Sequence, residues 1–193
     1  MTESQQKAEL HQYLRSAREA LLWKLDGLSE YDIRRPLTPT GTQLLGLVKH
    51  MTSVESGYFG LTFGRPFPED VDFLELDIPH DMDLWATANE SREYIVDLYR
   101  RVAEHADATI EALPLDAPGE VPWWNPKKVT LHRILVHVVA EINRHAGHAD
   151  IVREEIDGSA GLRPGNDNLV STDETWLRDY HARLEAIARS FKD

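Results

Sequence analysis

The chain has 193 residues, of which 41% are hydrophobic and 28% are charged, a composition typical of one soluble globular domain. Its net charge of −12 argues against nucleic acid or an anionic membrane as a partner. Cysteine is absent, which excludes disulfides, thiolate metal sites and a cysteine nucleophile.

The spacing of the apolar residues predicts helices from the N-terminus onward. The first segment is polar and amphipathic rather than a signal peptide, and no stretch approaches about 20 apolar residues. We therefore expect a cytoplasmic protein without a membrane span. This segment predicts a first helix over about residues 3–28. After the breaker RRPLTPTGT, Thr42 is placed to cap a second helix over about 42–59.

A long irregular connection, FGRPFPEDVDFLELDIP, precedes a third predicted helix over about 82–113. The breaker PLDAPGEVPWWNPKK separates it from a fourth over about 129–157, which stops at a glycine C-cap. After the loop SAGLRPGNDN, the sequence STDE resembles a helix start. No alternating strand pattern appears. We predict an all-α four-helix bundle with long crossover connections plus a short C-terminal helix, as a single domain over residues 1–193.

The fourth helix carries candidate metal ligands in AEINRHAGHAD, residues 140–150. At about 100° per residue, Glu141 and His145 lie at the shoulder of its apolar face, and His137 lies further round, toward solvent. Residues four apart can bind one ion, and a third ligand from another helix would complete the site. His50, which flanks the apolar stripe of the second helix, is the best candidate. The spacing by itself also fits ordinary polar pairing on a helix surface.

Two separated segments resemble one family. The stretch VTLHRILVHVVAEINRHAGHADIVREEIDG resembles the fourth helix of the DinB-like superfamily. It is closest to the mycothiol-dependent branch, which includes mycothiol S-transferases and the N-terminal domain of mycothiol-dependent maleylpyruvate isomerase. TQLLGLVKHMTSVESGYFG resembles the second helix of that branch, and PWWNP also looks like it. The resemblance covers most of the chain up to about Gly158.

The resemblance implies a divalent metal held by His50, Glu141 and His145. Many DinB-like proteins have a histidine at the position of Glu141, and the isomerase has the His-Glu-His arrangement. The next histidine, His148, aligns with a position that lines the pocket or orients a ligand. Zinc is the first choice of metal, and nickel, cobalt and iron also suit these ligands.

Three protein ligands leave a coordination position open for an exogenous thiol. The resemblance implies mycothiol as that thiol, and S-transfer to an electrophilic substrate as the reaction. The isomerase carries a further C-terminal domain for which this chain is too short. We therefore expect a metal-dependent mycothiol S-transferase, and the family suggests a homodimer.

Other side chains are candidates for the walls of the site. We interpret His148, Tyr58 and Arg153 as catalytic candidates, and Trp123, Trp124 and Arg144 as candidates for binding the thiol. Packing is the alternative for the aromatic side chains, and surface ion pairing is the alternative for Arg144. The competing functions are a metal-binding stress protein without turnover and a metal-dependent hydrolase that uses metal-bound water.

Overall fold

The computed structural model describes residues 2–76, 79 and 81–192, in two compact units, Met1–Ser159 and Ala160–Asp193. The helices of the first unit are α1 (Glu3–Trp23), α2 (Glu30–Arg34), α3 (Leu44–Glu55), α4 (Arg92–Ala112) and α5 (Leu131–Asp157). α3 continues into a π-helical turn, Ser56–Gly60, and a 3₁₀ turn, Leu61–Phe63. A short antiparallel ribbon, β1 (Pro118–Glu120) and β2 (Lys128–Thr130), lies between α4 and α5 in the sequence. The second unit contains α6 (Glu174–Arg189).

The long helices α1, α3, α4 and α5 form the bundle. α1 packs against α5, and α3 packs against both α4 and α5. α1, α4 and α5 each bury a stripe of residues spaced by three and four, which removes that stripe from water. α3 is buried over most of its surface, since the six residues from Leu44 to Lys49 are all buried. The resulting core includes Leu14, Leu21, Val48, Ile95, Tyr99, Ile134, Val138 and Ile142. The predicted all-α bundle is confirmed. Among the described residues, no helix has the length and apolar character needed to cross a membrane.

Several predicted helix ends are wrong. α4 begins at Arg92, not near residue 82, because the Ser91 hydroxyl caps it by accepting a hydrogen bond from the Tyr94 amide. The turns before it are tied to α2, where Arg34 donates to the carbonyl of Thr87 at 3.1 Å. α3 begins after Gln43, whose side chain makes no capping bond, so Thr42 is not the cap.

The end of α1, the helix α2 and the short ribbon differ from the prediction, whereas the end of α5 agrees with it. α1 ends at Trp23 rather than near residue 28, and the chain then forms α2, which the breaker pattern did not predict. The ribbon strands are three residues long, too short for an alternating pattern. The end of α5 is as predicted, since Gly158 follows it with a φ of 75°.

A buried charged network ties α1, α3 and α4 together. Arg18 donates to both carboxylate oxygens of Glu55 at 3.0 Å, and Glu55 is fully buried. The Tyr99 hydroxyl donates to the same carboxylate at 3.1 Å. Arg18 also donates to Asp107 at 2.6 Å, and His11 donates to Asp107 at 2.7 Å. Burial would raise the pKa of Asp107, but the His11 hydrogen bond and the Arg18 charge outweigh it and lower that pKa.

The second unit is organised around α6. The Asp173 carboxylate caps this helix by accepting a hydrogen bond from the Trp176 amide at 2.7 Å. This confirms the helix start predicted from STDE. The rings of Trp176 and Tyr180, four residues apart on α6, stack with their centroids 4.9 Å from each other.

Candidate functional site

A cavity of about 680 Å³ lies between α3, its π-helical turn, α5 and the connection that leads from α3 to α4. We call that connection, residues 64–91, the crossover. The polar residues that line the cavity are His50, Ser53, Tyr58, Glu75, Asp83, His137 and Glu141. The apolar residues of the lining include Val54, Leu61, Leu74, Leu76 and Trp123.

Two helices bring predicted metal ligands together at the edge of this cavity. The rings of His50 on α3 and His145 on α5 meet edge to face, with centroids 4.8 Å apart. Glu141, one turn before His145, places its Oε2 atom 3.5 Å from the His145 Nε2 atom. The prediction that α3 and α5 face each other near these two histidines is confirmed.

The environment of His145 keeps its ring neutral. Burial, followed by the neighbouring His50 ring, lowers the pKa of His145 to about 4. Its Nδ1 atom is buried and has no hydrogen-bond partner. An unpaired buried polar atom costs about 1–3 kcal/mol. A neutral imidazole with an unsatisfied nitrogen is the form that binds a metal ion.

The crossover fixes the other histidine. Asp83 accepts a hydrogen bond from the Nδ1 atom of His50 at 2.8 Å, and both side chains are largely buried. A carboxylate that holds one nitrogen of a histidine sets the ring orientation and leaves Nε2 as the available ligand atom. Sequence reasoning missed Asp83, which lies 33 residues from His50 in an irregular segment without periodicity.

The side chains fit a divalent ion in kind but are not assembled around one point. Two histidines and one carboxylate are a ligand set that zinc accepts in catalytic sites. Across residues 2–76, 79 and 81–192, however, no three His, Asp or Glu side chains converge as a metal-binding group. His50, Glu141 and His145 are therefore neighbours whose donor atoms do not yet share a centre.

Tyr58 and the two adjacent tryptophans form one wall. Trp123 and Trp124 each donate an indole N–H to the Tyr58 hydroxyl oxygen, at 3.3 and 3.1 Å. The Tyr58 ring belongs to the π-helical turn. The neighbouring residue, Gly57, allows the Trp123 ring to pack close to the backbone of this turn. A Cβ atom at residue 57 would lie only 2.9 Å from the Trp123 ring. Because the Tyr58 oxygen already accepts two hydrogen bonds, its own proton is left to be donated.

His137 is placed differently from the prediction. It was expected to face solvent, but it is half-buried and lines the cavity. Its ring packs edge to face on Tyr58 and on Trp124, with centroids 4.8 Å away in each case. Burial lowers its pKa, which the nearby Glu141 partly opposes. The helix wheel failed here because it cannot show which loops fold over the polar side of a helix.

The remaining candidates lie outside the cavity lining. His148 and Arg144 are exposed, and the His148 ring is 5.5 Å from that of His145. Arg153 donates to the backbone carbonyls of Lys24 and Asp26, at 3.0 and 2.8 Å. It also pairs with the Asp157 carboxylate. The Arg153 side chain therefore links α5 to the residues that follow α1.

A family model described as Mycothiol-S-transferase matches residues 9–158. This range contains every side chain of the cavity described above. A comparison with curated proteins gives no match.

Proposed function

Since the chain belongs to the mycothiol S-transferase family, we propose that it joins mycothiol, through its sulfur, to an electrophilic carbon in a metal-dependent reaction. The thiol sulfur forms a bond to carbon, the leaving group departs with the electrons of its own bond, and the thiol proton passes to solvent. The observation that carries the proposal is the contact between His50 and His145 beside a cavity. Because the chain has no cysteine, the sulfur comes from the small-molecule thiol.

We propose that His50, Glu141 and His145 hold one divalent ion, with zinc as the metal and nickel, cobalt or iron as substitutes. When bound, such an ion lowers the pKa of a thiol so that the sulfur is a thiolate near neutral pH. Three features support this set. Asp83 orients the His50 ring, the ring of His145 is neutral, and a nitrogen of His145 lacks a partner.

The other walls have roles in the same proposal. The Tyr58 hydroxyl donates a hydrogen bond to an acceptor on the thiol or on the electrophile. Its oxygen already accepts hydrogen bonds from the indole N–H groups of Trp123 and Trp124, so donation is the role left to it. Trp123 supplies an apolar surface to the cavity, and Trp124 supports Tyr58 from behind. His148 acts through its contact with the His145 ring. Arg144 is exposed next to His145 in the sequence, and in this proposal its guanidinium contacts the thiol.

Three further expectations belong to the proposal. We propose that the protein works in the cytoplasm, that residues 1–193 act as one domain, and that two copies form a homodimer. Light scattering that gives the mass of a monomer would contradict the proposed homodimer. Neither nucleic acid nor a membrane is a partner in this proposal, since the chain carries 33 acidic side chains against 21 basic ones.

The experiment has a metal arm and a thiol arm. In the metal arm, His145→Ala loses most bound zinc, whereas His148→Ala keeps it, because His148 is exposed and only touches the His145 ring. Zinc retained by His145→Ala, or lost from His148→Ala but not from Glu141→Ala, contradicts the ligand set.

In the thiol arm, the consumption of a reactive electrophile is measured with and without mycothiol. We expect consumption to require both the metal and the thiol. Turnover that persists without thiol supports the hydrolase instead. Zinc binding with no turnover under either condition supports a metal-binding protein without catalysis.

A further inference from the structure

The charge of the cavity indicates which electrophiles it accepts. Among its described lining residues, none is Lys or Arg, whereas Glu75, Asp83 and Glu141 bring three carboxylates. The sequence of the crossover shows the same bias, since residues 64–91 contain eight Asp or Glu against one Lys or Arg residue, Arg65. The basic candidates Arg144 and Arg153 both lie outside this lining.

A bound metal does not reverse this balance. A divalent ion would offset the charges of Glu141 and Asp83, which leaves the Glu75 carboxylate without a cationic partner in the cavity. The thiolate of the cosubstrate then adds a second negative charge. An electrophile with a carboxylate or sulfonate would be repelled by both negative charges, and water and salt screen part of the repulsion from Glu75 because that side chain is exposed.

The rest of the cavity favours an apolar body. Leu61, Leu74, Leu76 and Trp123 contribute apolar side chains to its lining. The volume of about 680 Å³ lies within the range of pockets that enclose drug-sized molecules. A flat or aromatic group can bury its surface against these residues, and the polar lining that includes His50 belongs to the same cavity.

From these observations, and resting on the proposed function, we propose that the electrophile is an uncharged or cationic molecule with an apolar body, and that Glu75 excludes anionic electrophiles. In the reaction with an alkyl iodide, the mycothiol sulfur bonds to carbon, iodide leaves with the electrons of the C–I bond, and the thiol proton is taken by buffer.

The kinetic test compares iodoacetamide with iodoacetate, which share a leaving group and differ in charge. Each enzymatic rate with mycothiol is divided by the uncatalysed rate of the same pair. We expect the ratio to favour iodoacetamide by about tenfold, and Glu75→Gln to reduce this preference several-fold. Asp72→Asn is the matched control. It removes one charge from the same segment, and Asp72 is exposed as Glu75 is, but Asp72 lines a different cavity.

A binding test separates this inference from the proposed function. N-phenyl-1-naphthylamine and its 8-sulfonate are titrated into the metal-free and the zinc-loaded protein, with dye fluorescence and energy transfer from tryptophan as readouts. We expect the neutral dye to bind about tenfold more tightly, and Glu75→Gln, but not Asp72→Asn, to narrow the difference.

Each outcome has one meaning. Equal preference for the neutral and anionic members of both pairs overturns the inference, as does a preference that Glu75→Gln leaves unchanged. If neither iodoacetamide nor a reactive electrophile with an aromatic body is consumed in a thiol-dependent way, the proposed function is refuted, and the dye titration then still decides the charge selectivity of the cavity.

Discussion

The hydrogen bond between Asp83 and His50 makes a testable link between the crossover and metal affinity. Asp83 joins the crossover to a proposed metal ligand, because its carboxylate accepts a hydrogen bond from the Nδ1 atom of His50 at 2.8 Å. The two side chains are 15% and 23% exposed, so water competes weakly for the bond. Replacing Asp83 should therefore free the His50 ring to rotate.

The size of the effect follows from the kind of bond that is lost. Partners that orient a ligating histidine typically contribute about 10–100-fold in metal affinity, which corresponds to roughly 1.4–2.7 kcal/mol. Asp83→Ala removes both the acceptor and its charge, so we expect a loss near the upper end. Asp83→Asn keeps an acceptor oxygen for the His50 N–H, so we expect a loss of about tenfold or less.

The assay is the zinc dissociation constant, measured by competition with a chromophoric chelator at constant pH. Asp81→Asn serves as the matched control, because Asp81 is exposed and does not line the cavity. Circular dichroism establishes that each variant keeps its helices. An unchanged dissociation constant for Asp83→Ala, in a folded protein, would refute the reasoning.

Three predictions concern the fold around the site. Arg18→Met leaves the buried Glu55 carboxylate without its ion pair and should lower the free energy of unfolding, measured with denaturant, by about 3–5 kcal/mol. The double variant Arg18→Met, Glu55→Leu should lose less stability, and an equal loss would contradict this account. The lowered pKa of Asp107 contributes stability above about pH 4 that is lost as the pH falls. Asp107→Asn should therefore destabilise the protein at pH 7 more than at pH 3, and parallel stability–pH curves would argue against it. Gly57→Ala forces the indole packed on it to move, which should change the tryptophan emission spectrum, whereas Gly147→Ala, with open space around it, should not.

The sequence was sufficient to predict the parts of the site that depend on helix periodicity. The i, i+4 spacing of Glu141 and His145 places them on one side of α5, and the apolar stripe of α3 turns His50 toward them. Packing of two amphipathic helices along their apolar stripes then brings these side chains together without further information.

The parts that depend on irregular backbone were not predictable. Asp83 meets His50 because turns precede the Ser91 cap of α4, and a hydrophobic pattern cannot specify the path of such turns. His137 was assigned to solvent because nothing in the periodicity of α5 indicates that Tyr58 and Trp124 cover it. The π-helical turn that delivers Tyr58 also has no sequence signature at this level of reasoning.

The crossover lies outside the four long helices, yet it supplies Glu75 and Asp83 to the cavity. The crossover is anchored on α4, where its buried Val71 and Phe73 pack with Leu98 and Val102. Substitutions that keep these two apolar residues cost the bundle little, because most of its core is made by the helices. Evolution or engineering could therefore replace this segment while α3 and α5 stay unchanged. The same segment contains Glu75, which faces the substrate, and Asp83, which orients His50. A replacement that changes the substrate range would therefore also tend to change the affinity for the metal.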